Sequence, residues 1–273
     1  MRLQIFDVEH GACALLTADN SNRLMIDCGH NSSTGWKPGI YLRQQNVATL
    51  EMFAVTNYDE DHASGANDLF DNIDVKWLWR NTSVSGAMLK QLKSDTGMGP
   101  GIERLCHVID NVFTGGGPTT SSPMPEFQGL LQRTCFYNSY PTFDDENNLS
   151  MAIFLACHGR GVMFTGDLEK PGFAELLKYE GFRQALRSTN VYVASHHGRE
   201  SGCSEEVAAL LTNVYYVIIS DKGYEHETQN TIAFYRKIAK GGPFRQEPTR
   251  HVLTTRNDGR IGFAFSLESW GPF

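Results

Sequence analysis

Thr56-Asn57-Tyr58-Asp59-Glu60-Asp61-His62 follows directly on the apolar run Met52-Phe53-Ala54-Val55 and leads into Ala63-Ser64-Gly65. Four potential metal ligands, Asn57, Asp59, Asp61 and His62, fall within these few residues. In an extended turn, positions 57, 59 and 61 share one side of the backbone, and His62 adds an imidazole nitrogen. The competing reading is a polar helix start, with Asp59 or Asp61 capping a helix over 62–70 and favouring its positive end. Taken alone, the stretch leaves both readings open.

Two further stretches repeat the arrangement. Val162-Met163-Phe164-Thr165-Gly166-Asp167 is an apolar strand that delivers a carboxylate at its tip, where a lone aspartate also serves as a turn former. Val191-Tyr192-Val193-Ala194-Ser195-His196-His197-Gly198-Arg199 ends a buried strand in two adjacent histidines. Divalent metals need carboxylate oxygens and imidazole nitrogens converging from separate elements. Three apolar strands ending in Asp/His groups favour one metal site over three unrelated turns.

The rest of the chain reads as strands first and alternation afterwards. Short apolar runs at 2–8, 11–18 and 23–27 precede a helix over 37–45, where Pro38 is acceptable in the first turn. Helices over 61–70 and 84–94 flank a strand at 75–80. Strands at 149–157 and 161–165, a helix near 170–180 and a strand at 190–194 follow. A helix over 204–211, a strand at 214–219, a helix over 228–239 and strands at 251–255 and 260–267 complete the pattern. The breaker-rich segment 114–126 is read as a surface loop, either a lid over the site or simply flexible, because site residues lie on both sides of it. One layered α/β domain over 1–273 is expected, with binding groups on strand-end loops.

Bulk properties narrow the function. The chain has 273 residues, enough to bury a core without disulfides or structural metal. Its formal charge of −7 provides no global basic field, which argues against gripping a long duplex. The cysteines at 13, 28, 106, 135, 157 and 203 form no C-x-x-C pair and are expected as buried, reduced thiols. Arg2-Leu3-Gln4-Ile5-Phe6 enters a strand pattern at once, without the basic and apolar stretches of a signal peptide. No window approaches the roughly 18 apolar residues of a membrane span. The expectation is a soluble, cytoplasmic protein with no membrane partner.

In this order and spacing the motifs resemble the metallo-β-lactamase superfamily, specifically the branch containing the C-terminal domain of the competence DNA-uptake protein ComEC. Phe6-Asp7-Val8-Glu9-His10-Gly11 resembles that branch's D-V-x-x-G opening strand, and Ile26-Asp27-Cys28-Gly29 resembles the I-D-x-G strand end that supports the site from behind. Residues 57–62 match the H-x-H-x-D-H motif in position, 162–167 the bridging-aspartate motif and 195–198 the S-H-H-G motif. Asn147-Asn148-Leu149-Ser150 resembles the branch's use of Asn in place of a third histidine; Ser220-Asp221 through His226 and Thr254-Thr255-Arg256 resemble the late strand segments. The resemblance implies a four-layer αββα sandwich of mixed sheets and a hydrolase with one or two divalent ions, Mn²⁺, Zn²⁺ or Mg²⁺. It implies Asp61, His62, Asp167 and His196 (or His197) as the intact ligand set.

The departures are informative. Where the family places histidines, this chain has Asn57, Asp59 and Asn148, so that half of the centre is oxygen-rich and suits harder ions. One firmly held ion is expected, with a weaker second one near Asp59 and Asp167. Asp61 would orient the attacking water, His197 or His226 would protonate the leaving group, and Arg199, Arg256 and Asn148 would contact substrate. Phosphodiester hydrolysis on a nucleic acid or nucleotide is the first reading. A hydrolase of lactones, thioesters or β-lactams is the second, and a catalytically degenerate sensing or scaffold module the third. A homodimer or a complex with a partner protein is left open.

Overall fold

The structure is a computed structural model in which residues 1–95, 97–115, 123–222 and 230–273 are described. Two mixed sheets face one another. The first has the strand order Trp270–Pro272, Ile261–Phe265, Arg2–Ile5, Ala14–Thr17, Arg23–Ile26, Met52–Ala54, Leu78–Trp79. The second runs Val252–Thr254, Tyr216–Ile219, Thr189–Val193, Arg160–Phe164, Met151–Cys157, Leu130–Tyr137.

Side-chain alternation explains the layering. Leu24 and Ile26 point between the sheets with Leu3, Leu16, Met52, Ile153, Val162, Val191 and Ile218, while Met25 points outward. On that outer face Leu15, Met25 and Phe53 meet Leu42, Leu69, Leu89 and Leu105, which come from helices Pro38–Gln44, Ala66–Asn72, Gly86–Leu92 and Pro100–Asn111. Across the molecule, Phe154, Met163, Tyr192 and Val217 meet Phe173, Phe182, Val207 and Tyr235 from helices Lys170–Leu176, Glu180–Arg187, Glu205–Leu210 and Ile232–Ile238. Strands buried on both faces are apolar at every position, which is why these runs are short and continuous in sequence. Each fully buried Leu or Phe contributes roughly 1.5–3 kcal/mol of transfer free energy. The result is the expected four-layer αββα sandwich of mixed sheets.

The strand directions create the site. Arg2–Ile5 is antiparallel to Ala14–Thr17, which is antiparallel to Arg23–Ile26, and the latter is parallel to Met52–Ala54. In the second sheet Arg160–Phe164, Thr189–Val193, Tyr216–Ile219 and Val252–Thr254 are mutually parallel. The loops after Arg2–Ile5, Arg23–Ile26, Met52–Ala54 and the parallel strands of the second sheet therefore gather at one end of the sandwich, while the loop after Ala14–Thr17 lies at the other; carboxyl-end crevices of α/β sheets bind ligands.

Several element boundaries differ from expectation. The helix expected over 61–70 is two, Glu60–Ala63 and Ala66–Asn72, because Gly65 packs tightly on the Cys28 carbonyl and donates to it at 2.8 Å. Helix Pro100–Asn111 and strand Leu130–Tyr137 were not anticipated. At the described end of the 114–126 segment, the side chains of Asn20 and Asn22 donate to the Glu126 carbonyl, at the end of the sandwich away from the carboxyl-end loops; 116–122 lie outside the described residues. All six cysteines are unpaired, and Cys135 alone is not buried. Among the described residues no helix is long and apolar enough to cross a membrane.

Candidate metal centre

Asp61, His62, Asp167 and His197 each direct one ligand-type atom into a common space, and these atoms lie within 4.8 Å of one another. His62 Nε2 is 3.0 Å from Asp167 Oδ1 and 3.3 Å from His197 Nε2. His197 Nε2 is 3.1 Å from Asp61 Oδ2 and 3.5 Å from Asp167 Oδ2. Apart from the half-buried Asp61, the group is buried.

The backbone arrangement that presents these atoms is specific. Gly11 and Gly29 both pack on the Asp61 carbonyl, where a Cβ at either position would come within 2.5 Å of its oxygen. These are the glycines of the two opening motifs, and only a residue without a side chain permits the approach. Gly166, at φ 52°, lets the Thr165–Asp167 turn reverse, and Asp167 N–H donates to Ser150 Oγ at 3.0 Å. Ser195 Oγ donates to the carbonyl of Leu168 at 2.6 Å, tying the histidine loop to that turn.

Each imidazole is oriented from behind. His62 Nδ1 is 2.9 Å from Asp27 Oδ2, and His197 Nδ1 is 2.9 Å from the Ser220 carbonyl. Acceptors at both Nδ1 atoms fix tautomers that leave Nε2 unprotonated when a metal is present, the usual outer support of metal histidines. The carboxylates around them favour the charged form of both rings. Burial works against a charged His197, yet Asp167 and Asp61 push its pKa up to about 10. His62 is likewise disfavoured by burial but held well above the ordinary imidazole value by Asp167 and Asp27. Asp61 is brought to about 2 by His197 and His62 against its own desolvation. Two imidazoles and two carboxylates, oriented and mutually neutralising, fit a divalent cation.

The remaining expected site residues are placed differently. Of the adjacent histidines, between which the sequence leaves the ligand open, His197 joins the cluster and His196 does not, so the proton-donor role expected for His197 falls on a cluster member instead. Both adopt left-handed backbone, φ 50° and 52°, so consecutive rings diverge. His196 Nδ1 faces Ser201 Oγ at 2.9 Å and Glu169 Oε1 at 3.2 Å. Asn57 is no ligand as placed: its Oδ1 accepts from Asp59 N–H at 2.6 Å and its amide donates to Asn147 and Ser150. Asp59 is paired with Lys93, which also holds Glu146 at 3.0 Å. Asn148 is buried, donating to Asp145 and accepting from Gly172 N–H at 2.8 Å, so its side chain is engaged in anchoring a helix start, not free for the substrate contact expected of it. Arg256 binds buried Asp221 at 2.7 Å, a structural pairing and not an open anion site. His226 lies outside the described residues.

With Asn57, Asp59 and Asn148 engaged by the protein, the oxygen-rich half expected from sequence is absent from the cluster. Among the described residues the donor set is two nitrogens and two oxygens, suited to Zn²⁺ or Mn²⁺ more than to Mg²⁺.

Sequence reasoning missed His10. Its ring lies 4.4 Å from that of His197, centroid to centroid, and its Nε2 is 3.8 Å from Asp61 Oδ2. Burial, then the neighbouring His197 charge, lowers its pKa to about 4. Arg199 bridges it to His196, donating to both Nε2 atoms at 3.1 Å. His10 also ends an apolar strand, so the rule that found the other clusters applied to the first strand too.

No protein-family profile matches the chain, and no curated protein matches it in sequence. Among solved structures it aligns with a diphosphatase from the PhnP family over 96% of this chain and 98% of that one, at 11% identity and TM-score 0.43. A protein assigned as a metal-dependent hydrolase from Parabacteroides distasonis aligns over 93% of each chain, at 12% identity and TM-score 0.44. The metallo-β-lactamase SMB-1 bound to 2-mercaptoethanesulfonate aligns over 71% of this chain and 79% of that one, at 13% identity and TM-score 0.33.

Proposed function

We propose that the protein is a metal-dependent phosphodiesterase acting on a nucleotide or a short single strand of nucleic acid. Asp61, His62, Asp167 and His197 would hold one divalent ion. Such an ion supplies Lewis-acid polarisation of a phosphoryl oxygen and acidifies water at the reaction centre.

The observation that carries the choice of substrate is Arg199. Its guanidinium is one ring removed from the cluster, hydrogen-bonded to His196 and to His10, whose ring lies 4.4 Å from that of His197. Among the described residues it has no carboxylate partner, and its buried Nε has no hydrogen-bond partner. A guanidinium with unspent charge near an ion site is suited to holding a phosphoryl oxyanion. His10 and His196 position it: both are kept neutral, chiefly by burial, and therefore accept from it without repelling it. The net charge of −7 favours a small or single-stranded substrate over a long duplex. The motif resemblance to the ComEC-like branch supports the same direction by analogy alone.

Hydrolysis of bis(p-nitrophenyl) phosphate with added Zn²⁺, Mn²⁺ or Mg²⁺ tests the reading. Turnover should require the ion and be lost in Asp61→Ala and Asp167→Ala. Arg199→Ala should lower kcat/KM by at least tenfold on this diester while leaving ion binding intact. Absence of turnover on this and on nucleotide diesters with every ion would sink the proposal.

A further inference from the structure

We infer that the centre takes a single ion because Lys93 supplies a second positive charge from within the chain. The inference rests on the metal-dependent reading above. Lys93 is the residue that follows helix Gly86–Leu92, and its side chain is 9% exposed. Lysines are among the residues least often buried unless paired. Here the pairing is double: the ammonium donates to Asp59 Oδ1 and lies 3.0 Å from Glu146 Oε1. Burial resists its charge, but Asp59 and Glu146 more than offset this and raise its pKa, so the ammonium is retained.

The same arm of the 56–62 turn is closed in other ways. Asn57 Oδ1 is taken by the Asp59 backbone N–H, and its amide by Asn147 Oδ1 and Ser150 Oγ at 3.2 and 3.1 Å. A cation entering beside Asp59 would meet a buried ammonium and find no amide oxygen free. Asp61 and Asp167 offset one divalent ion between them, and Lys93 offsets Asp59. Removing Lys93 leaves Asp59 and Glu146 as facing carboxylates, a donor pair that a divalent ion can bridge.

Equilibrium dialysis against Mn²⁺ or Zn²⁺, with metal quantified by mass spectrometry, reads the stoichiometry directly. Wild type is expected to hold one ion per chain. Asp59→Asn is expected to hold one ion with affinity lowered by less than about 10-fold, the least that losing an outer support of a metal ligand costs, since the Asp59 carboxylate is neither a ligand nor bonded to one. Lys93→Ala, if circular dichroism shows it folded, is expected to gain a second ion. Two ions on wild type, a loss of affinity of about 10-fold or more in Asp59→Asn, or a folded Lys93→Ala holding one ion would each overturn the inference. No ion on wild type would overturn the metal-dependent reading itself. Should Lys93→Ala fail to fold, Lys93→Met, which keeps a buried apolar stem without the charge, takes its place with the same two outcomes.

Discussion

Asp27 and His62 form a buried pair, Oδ2 to Nδ1 at 2.9 Å, with side chains 3% and 2% exposed. Asp27 also accepts from the Thr56 backbone N–H at 2.7 Å, so one carboxylate fixes both the start of the ligand-bearing turn and the ring at its end. Asp27 sits at φ 56°, a conformation that Asn also tolerates. Asp27→Asn should therefore fold but orient His62 poorly. Ion affinity should fall by about 10- to 100-fold, read by calorimetric titration. Unchanged affinity would show that His62 needs no such support.

The two adjacent histidines should separate cleanly. His197→Ala removes a cluster member, and the purified variant should retain no tightly bound ion. His196→Ala removes a ring that faces Ser201 and Glu169, and its ion content should match wild type. A reversed result would mean that the histidine loop is turned the other way.

Gly29→Ala should damage the centre from a distance. A Cβ there would come within 2.5 Å of the Asp61 carbonyl oxygen and 3.0 Å of the Ala12 carbonyl oxygen, both backbone atoms that cannot swing aside. Overpacking of this kind costs typically 1–3 kcal/mol, so a lower Tm and weaker ion binding should appear together. Lost stability with ion affinity intact would contradict the link between this glycine and Asp61.

The pH dependence should carry a mark of Glu9. Hydrogen bonds from the Ser32 and Ser33 side chains, opposed by some desolvation and helped by Lys222, lower its pKa from 4.5 to about 2. A carboxylate with depressed folded pKa stabilises fully above its unfolded value, near 4.5, and that contribution is lost as pH falls through about 2. Glu9→Gln should therefore be less stable than wild type at pH 5–7, with the gap narrowing below pH 4.5 and closing near pH 2. Denaturant midpoints at several pH values measure it, and a gap independent of pH would contradict the assignment.

Much of this arrangement is legible before any coordinates. Strands ending in Asp61-His62, Asp167 and His196-His197 announce a shared site because each element alone is a poor place for bare charge. The layering follows from continuous apolar runs such as Met151–Cys157. Helix Pro100–Asn111 is masked by its Gly-Pro-Gly start, although Pro is well placed in a first turn and Ile102, Leu105, Cys106 and Ile109 keep helical spacing. Lys93 was hidden for a different reason: a lysine at a helix end reads as solvated, and nothing local reveals that Asp59 and Glu146 meet it from elsewhere in the chain. The choice between His196 and His197 depends on two left-handed backbone residues, which adjacent identical side chains cannot encode visibly. The commitments of Asn57, Asn148 and Arg256 are equally tertiary.

The central claim is that Asp61, His62, Asp167 and His197 hold one divalent ion. Anomalous diffraction from crystals grown with Mn²⁺ or Zn²⁺ tests it most directly. The expected result is one peak per chain, at roughly 2.0–2.3 Å from one atom of each of these four side chains. A peak bound instead by Asp59 or His196, or no peak at the four residues, would contradict it.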